Sequence, residues 1–157
     1  MLKEEFFNEK IICLDVEANN NEEVMKKLGQ MLIKNKYIDA SYVQSVILRE
    51  KSFPTGLALA NTGIAIPHAT PENNVFKNGM AAVRLKTPVQ FNSMEDPEKK
   101  IDANLVFMLA LSEVGEHLGI LKRLFTMFQN EELVKKLQKS NDKETFFKVL
   151  ANSLMDK

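Results

Sequence analysis

The sequence predicts an α/β fold: a mixed central β-sheet of about five strands, flanked by helices on both faces, in a single domain over 1–157. Three observations predict it. Apolar residues recur at helical spacing towards both ends of the chain. Short apolar runs separated by turn residues fill the middle. The run from Ala103 to Leu111 is almost wholly apolar, which suits a central strand covered on both faces.

The elements follow in order. Ile11-Ile12-Cys13-Leu14-Asp15-Val16 is a β-branched apolar run and reads as the first strand. Asn19-Asn20-Asn21 then offers helix caps, with Glu23 three positions after Asn20 as in a capping box. Val24, Leu28, Met31 and Leu32 make one apolar stripe, and Lys34 and Lys36 supply the cations a helix C-terminus favours. A second helix is expected from Ser41 to Lys51, with Val43, Val46, Ile47 and Glu50 on one face and Arg49 near its end. Phe53-Pro54-Thr55-Gly56 breaks it.

Leu57 to Ala60 and Ile64 to Ile66 are expected to be short strands around an Asn61-Thr62-Gly63 turn. Gly79 to Lys86 reads as the next strand, Val89 to Phe91 as another after Pro88, and Ala103 to Leu111 as the buried one. The last third is helical. Leu118, Leu121, Leu124, Phe125 and Phe128 repeat at helical spacing, and Glu131 to Lys139 is a short helix. Asn141 with Glu144 is a capping box for a final helix carrying Phe146, Leu150 and Leu154.

Composition excludes several functions. The 157 residues are 45% hydrophobic and 27% charged, enough to build a core. Lys plus Arg is 21 and Asp plus Glu is 21, a formal net charge of zero, which argues against nucleic acid or an anionic membrane surface as partner. A single cysteine, Cys13, allows no internal disulfide and no thiolate zinc cluster, and its apolar run makes it a core residue. Two histidines without carboxylates at ligand spacing give no metal site. No nucleotide-binding fingerprint is present, so no cofactor is expected. The N-terminus lacks the layout of a secretory signal, and Leu105 to Leu111 falls far short of the ~20 residues a membrane span needs. A soluble cytoplasmic protein is expected.

The chemistry-bearing candidates are His68 and His117. His68 follows Pro67 at the end of a strand, where reactive groups gather in open α/β sheets. Pro67 has a fixed φ and can present the next side chain rigidly. His117 stands near the start of the helix after the apolar strand, where uncapped N–H groups favour an anion. If both strands end on one rim, the two histidines and the helix start surround one anion, as for a phosphoryl group on an imidazole. Taken singly, each is most simply a surface histidine.

The stretch Arg49-Glu50-Lys51-Ser52-Phe53-Pro54-Thr55-Gly56-Leu57, followed by Gly63-Ile64-Ala65-Ile66-Pro67-His68-Ala69, changes that balance. It resembles the enzyme IIA proteins of the fructose–mannitol superfamily of the bacterial sugar phosphotransferase system, a type-2 EIIA domain. That family has an Arg-Glu pair, a Thr-Gly turn and an Ile-Pro-His block ending in the phosphorylated histidine, which His68 matches. Its second histidine, with leucines four and seven residues on, is matched by His117, Leu121 and Leu124. The Phe-Pro-Thr-Gly variant looks most like the galactitol-type branch.

The resemblance implies a phosphohistidine relay, a phosphotransferase. Phospho-HPr gives its phosphoryl group to His68, and His68 passes it to a cysteine of a IIB protein. The IIB protein phosphorylates a sugar or sugar alcohol at the membrane IIC permease, which the IIA protein meets only indirectly. The chain length implies a free-standing IIA subunit. His117 would stabilise the phosphoryl group and Arg49 would contact it, while Thr55 and Gly56 shape the adjoining turn. A backbone carbonyl would hold the second ring nitrogen of His68. The ordinary reading of Arg49 is an ion pair with Glu50 or another acid. Phe53 is either part of a docking patch or buried under the second helix. The alternative function is a regulatory module of the nitrogen-phosphotransferase type, whose His68 phosphorylation state controls a partner. The sugar does not touch a IIA protein in this scheme, so the sequence leaves it open.

Overall fold

The computed structural model describes residues 4–113 and 115–154, and the side chains of residues 5–113, 115 and 118–154. Its elements run β1 (Ile12–Val16), α1 (Asn21–Lys34), α2 (Ala40–Ser52), β2 (Gly56–Ala58), β3 (Gly63–Ala65), β4 (Gly79–Asn92), β5 (Lys100–Ala110), α3 (Gly115–Phe128), α4 (Glu131–Lys139) and α5 (Lys143–Leu154). The expected α/β class and five-stranded mixed sheet are present. The strand order is β1-β4-β5-β3-β2. β1 runs parallel to β4 and β3 parallel to β5, whereas β4–β5 and β2–β3 are antiparallel.

From Leu105 to Ala110 side chains alternate across the sheet, as the two-residue period of a strand requires. On β5, Val106, Met108 and Ala110, joined by Ala103 across the register shift between Ala103 and Leu105, face a cluster with Val24, Leu28 and Leu32 of α1 and Val43, Val46 and Ile47 of α2. Leu105, Phe107 and Leu109 face the other way, onto Leu124 and Phe128 of α3, Leu133 and Leu137 of α4, and Phe146 and Leu150 of α5. Both faces of β5 are therefore buried, which explains its nearly unbroken apolar sequence.

The caps are as local as the sequence suggested, with two shifts. Asn20 Oδ1 accepts the Glu23 N–H at 2.9 Å, while the Glu23 carboxylate accepts the Asn19 N–H at 3.0 Å, one residue earlier than a regular capping box. The N-terminus of α5 is capped by Asp142, which accepts the Thr145 N–H at 2.8 Å, and not by Asn141.

Other expectations need correction. Ile11 belongs to a short 3-10 turn, Glu9–Ile11, and β1 starts at Ile12. The strand expected from Leu57 to Ala60 is only Gly56–Ala58, because Leu59 N–H turns back to the Thr62 carbonyl at 2.8 Å. Pro88 does not divide β4: the ladder slips between Arg84 and Val89, and Pro88 is exposed there, where its missing N–H costs nothing. Leu118 is 76% exposed and is not on the packed stripe of α3. Cys13 is only half-buried.

Two glycines set how closely chains approach. A Cβ on Gly63 would lie 2.4 Å from the Asp102 carbonyl oxygen of β5, and one on Gly56 2.6 Å from that of Asn92 of β4. β2 and β3 can therefore press against their neighbours, which sets the position of the segment after β3. Arg84 on β4 is buried and closes the far end of α4, donating to the carbonyls of Leu137 at 3.0 Å, Gln138 at 3.1 Å and Ser140 at 2.6 Å.

Candidate functional site

β3 and β5 run parallel, with Ala65 opposite Val106, so both point their carboxyl ends to one rim. That is the condition under which His68 and the start of α3 come together. The segment after β3 stays pinned there, because Leu109 N–H donates to the Pro67 carbonyl at 3.1 Å. Tyr42 of α2 adds a second clamp. Its hydroxyl accepts the Ala69 N–H at 3.1 Å and donates to the Leu109 carbonyl at 2.6 Å. Burial pushes the Tyr42 phenol up to about 12, against the opposing pull of the Ala69 backbone and the Arg49 charge, so it remains a donor at neutral pH.

His68 is half-buried, and its Nδ1 lies 2.8 Å from the Ile66 carbonyl oxygen. A carbonyl can only accept. The neutral ring therefore carries its proton on Nδ1 and its lone pair on Nε2. Ile66 precedes Pro67, which restricts Ile66 to extended backbone angles and steadies that carbonyl. The backbone carbonyl expected to hold the second ring nitrogen is thus that of Ile66.

Thr55 is 3% exposed and reaches the same segment from the turn after α2. Its Oγ1 accepts the Ile66 N–H at 3.1 Å. Behind it, the Glu50 carboxylate accepts the Thr55 N–H at 2.8 Å and the Thr55 O–H at 3.0 Å. Burial pushes the Glu50 carboxyl up to about 7, and the Thr55 bonds oppose that rise. Gly56 opens β2 opposite Ala65 of β3.

Arg49 and Glu50 are neighbours in α2 but point in different directions. Glu50 turns inward to Thr55, so the ion pair between them does not form. The Arg49 guanidinium instead lies over the Phe53 ring, 4.9 Å from its centroid. Phe53 is 62% exposed, not buried under α2. Arg49 acts electrostatically on Tyr42, whose hydroxyl binds the residue after His68.

His117 falls in the first turn of α3, which follows β5 on the same rim; its side chain lies outside the described residues. Leu124 is buried and Leu121 half-buried against the α3–α5 cluster, so these leucines seat the helix that carries His117. Among the described residues no group of three His, Cys, Asp or Glu side chains is placed to hold a metal ion. No helix among them is long and apolar enough to cross a membrane.

Sequence reasoning did not find Tyr42 or the contact from Thr55 to Ile66. The available signal for Tyr42 was a residue with an apolar body and a polar tip beside the buried stripe of α2. For Thr55 it was Glu50, a carboxylate on an apolar helix face that must find donors once buried.

Residues 5–153 match the family described as phosphoenolpyruvate-dependent sugar phosphotransferase system, EIIA 2. The mannitol-specific EIICBA component of the phosphotransferase system of Pasteurella multocida is 34% identical over 145 residues, 91% of this chain and 22% of that protein. The chain thus spans about a fifth of that relative's length. The ascorbate-specific EIIA component of Escherichia coli is 27% identical over 131 residues, 83% of this chain and 82% of that protein. Among solved structures, the complex of enzyme IIA(Mtl) and phosphorylated enzyme IIB(Mtl) from Escherichia coli matches with a TM-score of 0.77 and 28% identity, covering 93% of this chain and 99% of that one. These names are of mannitol and ascorbate type, and the galactitol-type expectation finds no support among them. It rested on Phe53 to Gly56, which build the turn beside His68 and so report on the site's shape, not on a sugar.

Proposed function

The chain belongs to the phosphoenolpyruvate-dependent sugar phosphotransferase system EIIA 2 family, and on that premise we propose that it is a phosphoryl relay with His68 as the carrier. The observation that carries this reading is the Nδ1 contact of His68 with the Ile66 carbonyl, which leaves Nε2 with the nucleophilic lone pair.

In the first step the Nε2 lone pair attacks the phosphorus of phospho-HPr. The N–P bond of the donor breaks as the Nε2–P bond of His68 forms, and the donor histidine leaves with its electron pair. In the second step a IIB cysteine thiolate attacks the same phosphorus. The S–P bond forms, the Nε2–P bond breaks, and His68 returns to its neutral Nδ1–H form. The Ile66 carbonyl is well placed for both steps, because phosphorylated imidazole carries more positive charge and the Nδ1–H bond strengthens. Little covalent help is needed beyond positioning and charge stabilisation. The N–H groups at the start of α3 and the His117 side chain supply donors for the phosphoryl oxygens, and Arg49 supplies positive charge. Thr55, Gly56 and Pro67 hold the segment that carries His68.

On the same reading the IIB protein hands the group to a sugar, sugar alcohol or sugar acid at a membrane IIC protein, and the relay runs in the cytoplasm. The named relatives favour a mannitol- or ascorbate-type partner over a galactitol-type one.

The test is reconstitution. Phosphoenolpyruvate, enzyme I and HPr should load one acid-labile, base-stable phosphoryl group, and His68→Ala should abolish it in a folded protein. Label that persists in folded His68→Ala removes His68 as the carrier. Mannitol-, ascorbate- and galactitol-type IIB proteins then compete for the loaded group. Transfer to none of them, with loading intact, would favour the regulatory alternative.

A further inference from the structure

Glu50 is 6% exposed and carries a carboxylate at the end of an apolar helix face. Burying such a group is costly unless hydrogen bonds compensate it. Both its oxygens are turned to one residue, Thr55: Oε2 takes the backbone N–H at 2.8 Å and Oε1 the hydroxyl at 3.0 Å. A threonine hydroxyl has one hydrogen. Once the carboxylate takes it, the Oγ1 lone pairs face outward, and one of them takes the Ile66 N–H at 3.1 Å. Ile66 then presents its own carbonyl to His68 Nδ1 at 2.8 Å. Three residues from two segments of the chain thus lead, bond by bond, from a buried carboxylate to the ring nitrogen opposite the proposed nucleophile.

We propose that Glu50 and Thr55 are positioning residues for His68: the carboxylate fixes the Thr55 hydroxyl as an acceptor for the Ile66 N–H, and this aims the Ile66 carbonyl that holds His68 Nδ1. The inference rests on the reading of His68 as the phosphoryl carrier and extends it to groups that never touch the phosphoryl. The geometry favours it because the link has few soft joints. The N–H of Ile66 is pinned by Thr55, its ψ is restricted by Pro67, and the Pro67 carbonyl is itself held by Leu109 N–H at 3.1 Å. The Thr55 bond fixes the peptide plane that enters Ile66, and with ψ restricted the φ of Ile66 alone then relates that plane to the carbonyl facing His68. Burial raises the Glu50 carboxyl to about 7, and the two Thr55 bonds oppose that rise.

The experiment compares Thr55→Val, Thr55→Ser, Glu50→Gln and His68→Ala. Valine keeps the shape of threonine and removes the hydroxyl; serine restores the hydroxyl. Glutamine keeps the shape of glutamate but offers one acceptor and an NH2 group, which turns the Thr55 hydroxyl hydrogen towards the Ile66 N–H. Two quantities are read at about pH 8, above the value of about 7 to which burial raises Glu50, so that it is a carboxylate: the Nδ1–H fraction of neutral His68, from its ring 15N shifts without any donor present, and the rate of loading from phospho-HPr. Thr55→Val and Glu50→Gln are expected to lower the Nδ1–H fraction and slow loading about tenfold, the size of one oriented hydrogen bond. Thr55→Ser should recover both. If Thr55→Val proves unfolded, Glu50→Gln and Thr55→Ser carry the comparison. Unchanged tautomer and unchanged loading in Glu50→Gln overturn the inference, as does slowed loading with an unchanged tautomer, which marks a merely structural turn. Loss of label in His68→Ala alongside either result leaves the relay itself standing, whereas label retained in His68→Ala removes the relay whatever the tautomer does.

Discussion

The Nδ1 of His68 lies 2.8 Å from the carbonyl oxygen of Ile66, two residues earlier in the chain. Because the oxygen cannot donate, the contact assigns a proton as well as a distance. The phosphoryl group is therefore expected on Nε2. Phosphorus–nitrogen couplings in the 15N-labelled, loaded protein should identify Nε2, and a product on Nδ1 would contradict the geometry.

His117→Ala is expected to leave His68 able to accept the group and to slow its onward transfer. His117 stands in the first turn of α3, on the rim where β3 and β5 both end. A donor aimed at developing charge in such a place is typically worth about 2.7–4 kcal/mol, or roughly 10²–10³ in rate. The loading stoichiometry and the transfer rate to IIB separate the two effects. An unchanged transfer rate would reduce His117 to a bystander.

How far the site could be read from sequence depended on how local the deciding contact was. The Asn20 cap and the α4 helix are decided within a few residues, and both stand where the sequence put them. Asn141 and Asp142 are adjacent and equally able to cap by residue type, and it is Asp142 that accepts the Thr145 N–H. Pro88 looked like a strand end, but the slip of β4 against β5 puts it where no ladder bond is required. His68 was marked by its neighbours in sequence. The contacts that hold it come from Thr55, Tyr42 and Leu109, and only the packing of α2 and its following turn beside β3 and β5 brings these together. Glu50 shows the limit most clearly. Its place on the apolar face was visible, yet its partner is not the adjacent Arg49 but a threonine beyond the helix end.

Glu50 also makes a pH prediction. Its carboxyl is raised to about 7 in the fold from the ordinary 4.5, chiefly by burial. Between those values the folded state holds a proton that the unfolded chain has released, so stability falls as pH rises through the window. The contribution is complete below pH 4.5 and lost as pH rises through about 7, on the order of 3 kcal/mol. Glu50→Gln has no such proton. Urea midpoints measured at about pH 5 and pH 8 should show the variant gaining on the parent protein at the higher pH. A difference that does not change with pH would mean that the Glu50 carboxyl is not raised.

The last prediction concerns docking. A donor and an acceptor must reach the same His68 in turn, so HPr and IIB should occupy one overlapping surface and compete for it. The net charge is zero, which leaves little long-range steering and makes local contacts decisive. Phe53 is 62% exposed on the turn that leads to Thr55, and the Arg49 guanidinium lies over its ring at 4.9 Å. An exposed aromatic under an arginine offers an apolar face with a charged rim, the pairing enriched where transient partners meet. A relay contact must also release, which calls for a small footprint and weak binding. Phe53→Ala is therefore expected to weaken both partners about tenfold while leaving the fold and the His68 tautomer unchanged. Backbone shift perturbation with unphosphorylated HPr and with IIB should light up the same residues, around His68, the start of α3 and the 53–56 turn. Two separate faces would rule out a direct relay through one histidine, and a Phe53→Ala protein that binds both partners normally would place the patch elsewhere on that rim.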